Sequence, residues 1–273
     1  MKHVLIILFI FIVKFAFSIV DPTCLCGNWD YNQLDKAIAR IDSTIRQHAD
    51  SSDLYYLKGY YIRCYCVNQR KCNLINSAIL SQKKAISLNN KNYKAFEELG
   101  EVFLNDYDST HYNLDSSLYY FSNAKKINSN SGNAFTGIGK IYIKLGKYED
   151  AFDSFMEGIA NKNFCKLDDY LGLIQISFLT HNLQNIENYY PSLYLYTDGE
   201  NQLNYIREAL PEHIYEKFIK SDKTFQDEIY QKLVSLKNTK TTNEIQMTKG
   251  FLFDILNINY FKEKPELMKI IKE

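Results

Sequence analysis

The chain has 273 residues, 46% hydrophobic and 23% charged, with four prolines. That length gives one or two domains, and the composition excludes both a disordered chain and a loop-rich fold. Lys plus Arg and Asp plus Glu number 32 each, which leaves no electrostatic footprint for nucleic acid and no polybasic membrane anchor.

At the N-terminus, Lys2-His3 precedes an apolar run from Val4 to Val13, and Lys14 is followed by Ala16-Phe17-Ser18. Small residues at the two positions a signal peptidase reads predict cleavage after Ser18, so residues 1–18 are expected to be a leader. The run falls short of the ~20 residues that span a bilayer. The expectation is an exported chain (periplasmic, envelope-associated or secreted) without stable membrane insertion once the leader is gone. Asp21-Pro22-Thr23 is unlike the small apolar box that would direct lipid modification of Cys24. All six cysteines, Cys24, Cys26, Cys64, Cys66, Cys72 and Cys165, lie beyond the leader. In an exported chain they read first as a disulfide framework. A thiolate metal site is the alternative, but Cys-x-Cys is less usual for zinc than Cys-x-x-Cys, and no His is close in sequence.

Helices are expected over 33–48 and 52–66, followed by an insertion from Tyr65 to Asn76 that carries part of the cysteine set. Tyr56 and Tyr60 stand one turn apart on the second of them. A second insertion, Asn105 to Asp115, reads NDYDSTHYNLD. Its Asp106, Asp108, Thr110, His111, Asn113 and Asp115 suggest calcium. The loop lacks the glycine of an EF-hand, however, and Ser117 stands where that loop needs Glu. A solvated turn with Asp caps for a helix over 115–127 is the preferred reading.

The most regular stretch is Asn133 to Asn163. Phe135, Ile138, Gly139 and Tyr142 share one helical face at i, i+3, i+4, i+7. Leu145-Gly146 ends that helix, because Gly takes the left-handed conformation at low cost. A second helix places Tyr148, Ala151, Phe155 and Gly158 inward. Small residues then recur along the chain: 22 positions after Ala37, Ala78, Ser117 and Ala151 stand Gly59, Gly100, Gly139 and Leu173. Beyond Cys165, Tyr170-Leu171-Gly172 opens a further helix, and Tyr189 and Ser192 fit a partner helix. Residues 199–273 read as helical without such anchors.

In order, Phe135, Ile138, Gly139, Tyr142, Leu145-Gly146, Tyr148, Ala151, Phe155 and Gly158 resemble a tetratricopeptide repeat, with Phe135 for its Trp, Ile138 for its Leu and Asn163 for its terminal Pro. The resemblance implies an all-α, right-handed superhelical solenoid of antiparallel helix pairs over residues 19–198, with a helical C-terminal cap over 199–273. It implies a concave groove lined by first helices. By repeat register the groove would show Asp53, Tyr56, Tyr60 and Arg63, then Lys94, Glu97 and Glu101, then Asn133, Thr136 and Lys140, then Tyr170 and Ile174. The Lys/Asn/Arg set with which some members clamp a C-terminal carboxylate is absent. Antiparallel pairing would bring Cys64, Cys66 and Cys72 near Cys24 and Cys26 as a staple, leaving Cys165 unpaired.

No G-x-S-x-G, H-E-x-x-H or Gly-rich phosphate loop occurs. His48, His111, His181 and His213 are scattered, and Glu97 and Glu101 at i, i+4 read as a face and not as an acid–base pair. The expected function is a protein-binding scaffold with no catalytic residue, cofactor or metal, recognising a protein or peptide through its groove. The alternative is an envelope protein that docks a partner or a metal at the edge formed by the insertions and the cysteine segment.

Overall fold

The computed structural model describes residues 31–69, 73–105, 111–162 and 166–180, with 182, 184, 185, 188, 189, 227 and 231 beyond them. The expected leader (1–18), Cys24, Cys26, Cys72, Cys165, positions 106–110 and the boundary expected at 198/199 lie outside these residues. The described residues form eight helices and no strand. None of these helices is long and apolar enough to cross a membrane. The chain divides into two compact units, Met1–Ser129 and Asn130–Glu273.

The first unit holds α1 (Tyr31–Gln47), α2 (Ser52–Gln69), α3 (Ile75–Leu88), α4 (Tyr93–Leu104) and α5 (Leu114–Ile127). Helices α2 and α3 form an antiparallel hairpin. Their cross-contacts run in opposite directions, from Ser52 Oγ donating to the Ala85 carbonyl (2.9 Å), through Gln82 Nε2 donating to the Tyr56 carbonyl (3.0 Å), to Gly59 against Ala78. Apolar side chains are gathered in two cores. One joins Leu34 and Ile41 to Tyr60, Tyr61 and Cys64. The other joins Ile62 and Cys66 to Ile75, Ala78, Leu99 and Val102.

The second unit holds α6 (Gly132–Lys144), α7 (Tyr148–Asn161) and α8 (Leu167–Leu179). Its core is Ala151, Phe155, Leu173 and Ile176, with Tyr142, Tyr148, Phe152, Tyr170 and Tyr189 packed around it. Helix α6 ends as its sequence requires. Gly146 sits at φ 72°, its N–H reaches the Ile143 carbonyl (3.0 Å), and the Lys147 N–H reaches Tyr142 (2.9 Å). That pair of bonds is a Schellman cap.

Helix starts follow local chemistry. Asn92, Asn113 and Ser131 each accept a bond from the N–H three residues on, which satisfies a donor the helix leaves open. The cap of α5 is thus Asn113, not an Asp. Asn can accept that bond while its backbone stays extended, and Asp115 lies inside the first turn.

The evenly spaced glycines Gly59, Gly100 and Gly139 mark close approaches within the α2–α3, α4–α5 and α6–α7 hairpins. A Cβ added at Gly59 would lie 2.4 Å from Gln82 Nε2 and 3.0 Å from the Ala78 carbonyl oxygen. At Gly100 it would strike the Phe121 ring at 2.7 Å, and Ser117 Oγ donates to the Gly100 carbonyl at 2.7 Å. At Gly139 it would lie 2.9 Å from the Phe155 ring. Between α7 and α8 the glycine is Gly172, one position before the expected Leu173; a Cβ there would approach Phe155 to 2.3 Å. The shift has a simple cause: Phe155 needs an open side on both α6 and α8, and Leu173 fills the adjacent core. Gly139→Leu and Ala151→Leu are each expected to lower unfolding free energy by about 1–3 kcal/mol through overpacking. Equilibrium urea unfolding checks this, and unchanged midpoints for both would contradict the register.

Candidate functional site

Two first helices of unit 1, α2 and α4, lie side by side and parallel, joined by a ladder of polar contacts. At their starts, Asn92 Nδ2 donates to Ser52 Oγ (2.8 Å) and Asp53 Oδ1 (3.3 Å). One turn on, Lys94 Nζ lies 5.9 Å from the centre of the Tyr56 ring. Further along, Arg63 grips Glu98 in a fork, Nε to Oε2 at 2.6 Å and Nη2 to Oε1 at 3.1 Å. The Arg63 guanidinium also lies 5.7 Å from the Tyr60 ring. The fork matters because both groups are largely out of water, at 11% and 8% side-chain exposure. Desolvating two charges is recovered only by a close, bidentate pairing of this kind.

Burial, the largest effect, raises the Glu98 carboxyl above its ordinary 4.5, while the charge and hydrogen bonds of Arg63 pull it down. The folded state therefore holds that proton more tightly than the unfolded chain does. The stability it contributes is fully present below pH 4.5 and fades as pH rises through the raised value. Glu98→Gln should abolish that part of the decline while lowering stability overall, as urea titrations between about pH 4 and 7 would show. A slope identical to that of the parent chain would contradict the assignment.

Unit 2 has a corresponding polar junction between α6 and α8. Thr136 Oγ1 is hydrogen-bonded to Asp169 Oδ1, and Lys162 Nζ donates to Thr136 Oγ1 (2.7 Å) and to Asp169 Oδ2 (3.0 Å). Glycines make room for it. A Cβ at Gly158 would lie 2.6 Å from Asp169 Oδ1, and one at Gly132 2.2 Å from Lys162 Cγ. Burial is the main influence on Asp169 and raises its pKa; Lys162 opposes it. Nearer the surface, Lys140 pairs with Asp168 at 2.6 Å and is the main cause of its lowered pKa. That carboxylate is half exposed, so solvent screens the pair and its worth is small.

The residues expected in the groove therefore separate. Asp53 and Lys94 are exposed, and Tyr56, Glu101 and Lys140 are partly so. Tyr60 is not a groove residue: at 1% exposure it belongs to the core beside Leu34 and Ile41, edge-on to Tyr61 at 5.5 Å. One turn beyond Tyr56, the stripe has passed beneath α1. Arg63, Glu97 and Thr136 are buried at 9%, 8% and 4%. Arg63 and Thr136 are spent on helix-to-helix bonding. Ile174 is buried, and Tyr170 packs toward Tyr189 at 6.5 Å between ring centres. Cys64 and Cys66 are both buried on α2. The second insertion touches the start of α3, with His111 Nε2 2.9 Å from Asn76 Oδ1.

Sequence reasoning gave no site role to Glu98, Asn92, Lys162, Asp168 or Asp169. Asn92 was legible as an N-cap and the Asp168-Asp169 pair as first-turn acids. Nothing in the periodicity marks Glu98 as buried or Lys162 as partly so.

Comparison with solved structures bears on this fold. The crystal structure of TTC0263, a thermophilic TPR protein in Thermus thermophilus, superposes with a TM-score of 0.51 at 14% identity, covering 65% of this chain and 91% of that one. The chain has the tetratricopeptide-repeat fold. A second match, the crystal structure of MamA, has a TM-score of 0.41 at 18% identity, covering 70% of this chain and 97% of the other. No protein-family model and no curated protein matches the sequence. Within the tetratricopeptide fold, α2, α4, α6 and α8 are the first helices of their pairs, and the polar ladder of unit 1 joins two of them.

Proposed function

We propose that the chain is an exported protein-binding scaffold that recognises a protein or peptide through the first-helix face of unit 1. The observation that carries this reading is the α2–α4 ladder. It fixes two helices side by side while leaving Asp53, Tyr56, Lys94 and Glu101 accessible in one register. Tyr and charged residues held rigidly on a scaffold are the usual anchors of an interface. The reading contains no catalytic step. Export is supported by the leader-like N-terminus, and the staple by Cys64 and Cys66, neither of which is a free thiol. Non-reducing mass spectrometry of the exported chain tests cleavage and cysteine pairing together.

A second reading places the contact at the insertion edge, favoured by the contact of His111, in the second insertion, with Asn76 in the first turn of α3. Affinity capture from the native envelope separates them. Tyr56→Ala should lose partners, whereas deletion of 106–113 should keep them. Loss on the deletion alone would transfer the function to the edge. Tyr60 and Glu97 are poor probes, since their burial makes substitution a test of folding.

A further inference from the structure

The described part of the α2–α4 face is negatively charged in a chain that is neutral overall. Asp53, Glu97, Glu98 and Glu101 face Arg63 and Lys94, four carboxylates against two cations, while the whole sequence balances at 32 and 32. Arg63 and Glu98 pair with each other below the surface, which leaves Asp53, Glu97 and Glu101 against Lys94. Lys94 reaches across to the half-buried Tyr56 ring, with Nζ 5.9 Å from its centre. That ring lies in a field that favours positive charge. After burial itself, the charges of Glu98 and Glu97 are the next largest causes that hold the Tyr56 hydroxyl pKa well above its ordinary value. Charges set in low-dielectric surroundings project further than surface charges do.

We infer that this face takes a positively charged segment of its partner, seating a Lys or Arg side chain on the Tyr56 ring in place of Lys94. The inference rests on the scaffold reading above and adds the chemistry of the partner. An ammonium or guanidinium over an aromatic face gains most where water is partly excluded, and Lys94 shows that a cation reaches this ring. Lys94 is tethered at the edge of α4 and exposed, so it acts as a competitor that an incoming cation displaces. The surrounding carboxylates accelerate encounter and reject acidic segments.

The test uses the full chain and three fluorescently labelled short peptides, one rich in Lys and Arg, one rich in Asp and Glu, and one of Ser and Asn. The cationic peptide is expected to bind at least about tenfold more tightly than the acidic one, and to weaken as salt rises from about 0.05 to 0.3 M. Tyr56→Leu should weaken it about three- to tenfold, and Glu101→Gln should weaken it less. Lys94→Gln should strengthen it, whereas Lys83→Gln, on the exposed side of α3, should not. Equal gains for Lys94→Gln and Lys83→Gln, with no effect of Tyr56→Leu, would overturn the inference as nonspecific attraction. Preference for the acidic or neutral peptide, lost on Tyr56→Leu, would overturn the cation assignment and leave the scaffold reading in place. No peptide binding that depends on Tyr56 or Lys94 would overturn both.

Discussion

Arg63→Met lowers the unfolding free energy of the chain by about 3–5 kcal/mol, because it leaves a carboxylate with no bidentate partner in a place water barely reaches. Glu98 is 6% exposed and receives both of its described Arg63 bonds from one guanidinium. The lost packing of the Arg63 stem is small, since Met replaces most of it. The cost is therefore electrostatic, and a second substitution can remove it. Arg63→Met with Glu98→Leu is expected to recover most of the loss, since apolar residues of similar volume often replace a buried pair without penalty. Urea unfolding of the two single variants and the double variant closes the cycle. A single-variant loss below about 1 kcal/mol would mean that the pair is effectively solvated.

Phe155→Ala should cost about 3–5 kcal/mol as well, by a different mechanism. The ring is fully buried and lies against two bare backbones, those of Gly139 on α6 and Gly172 on α8. Removing it opens a cavity that neither glycine can fill. The coupling gives a sharper expectation, a reversal of sign. In the parent chain Gly172→Ala destabilises, because its Cβ would lie 2.3 Å from the Phe155 ring. In the Phe155→Ala background the same substitution has room and gains the helix propensity of Ala over Gly, about 1 kcal/mol. Thermal melts of the four proteins test it. Gly172→Ala that destabilises equally in both backgrounds would show that the ring is not what the glycine accommodates.

Much of the fold was legible in the residues because close helix crossings demand small side chains at fixed places. Gly59, Gly100 and Gly139 each meet the partner helix of their own hairpin, and Gly146 closes α6 as its neighbours predict. The displacement from Leu173 to Gly172 was not legible, because the space requirement came from a side chain on another helix. The site was read less well for the same reason. Periodicity assigns a residue to a face, but it does not say how far along that face a neighbouring helix extends. Tyr56 and Tyr60 share a stripe, yet only the second is fully buried in the core that Leu34 and Ile41 of α1 help to form. Arg63 and Thr136 look like surface polar residues until Glu98 and Asp169 arrive from the next first helix to consume them. Such pairings span 35 and 33 positions of sequence, with no local pattern to announce them.

The side-by-side bonding of α2 and α4 has a mechanical consequence. A slide of one helix along the other by a single turn, about 5.4 Å, would break the Asn92, Lys94 and Arg63 contacts together and maroon two charges in an oily interior. The pair is thus a stiff plate with a single resting position, and an incoming chain meets chemical groups whose separations are set before it arrives.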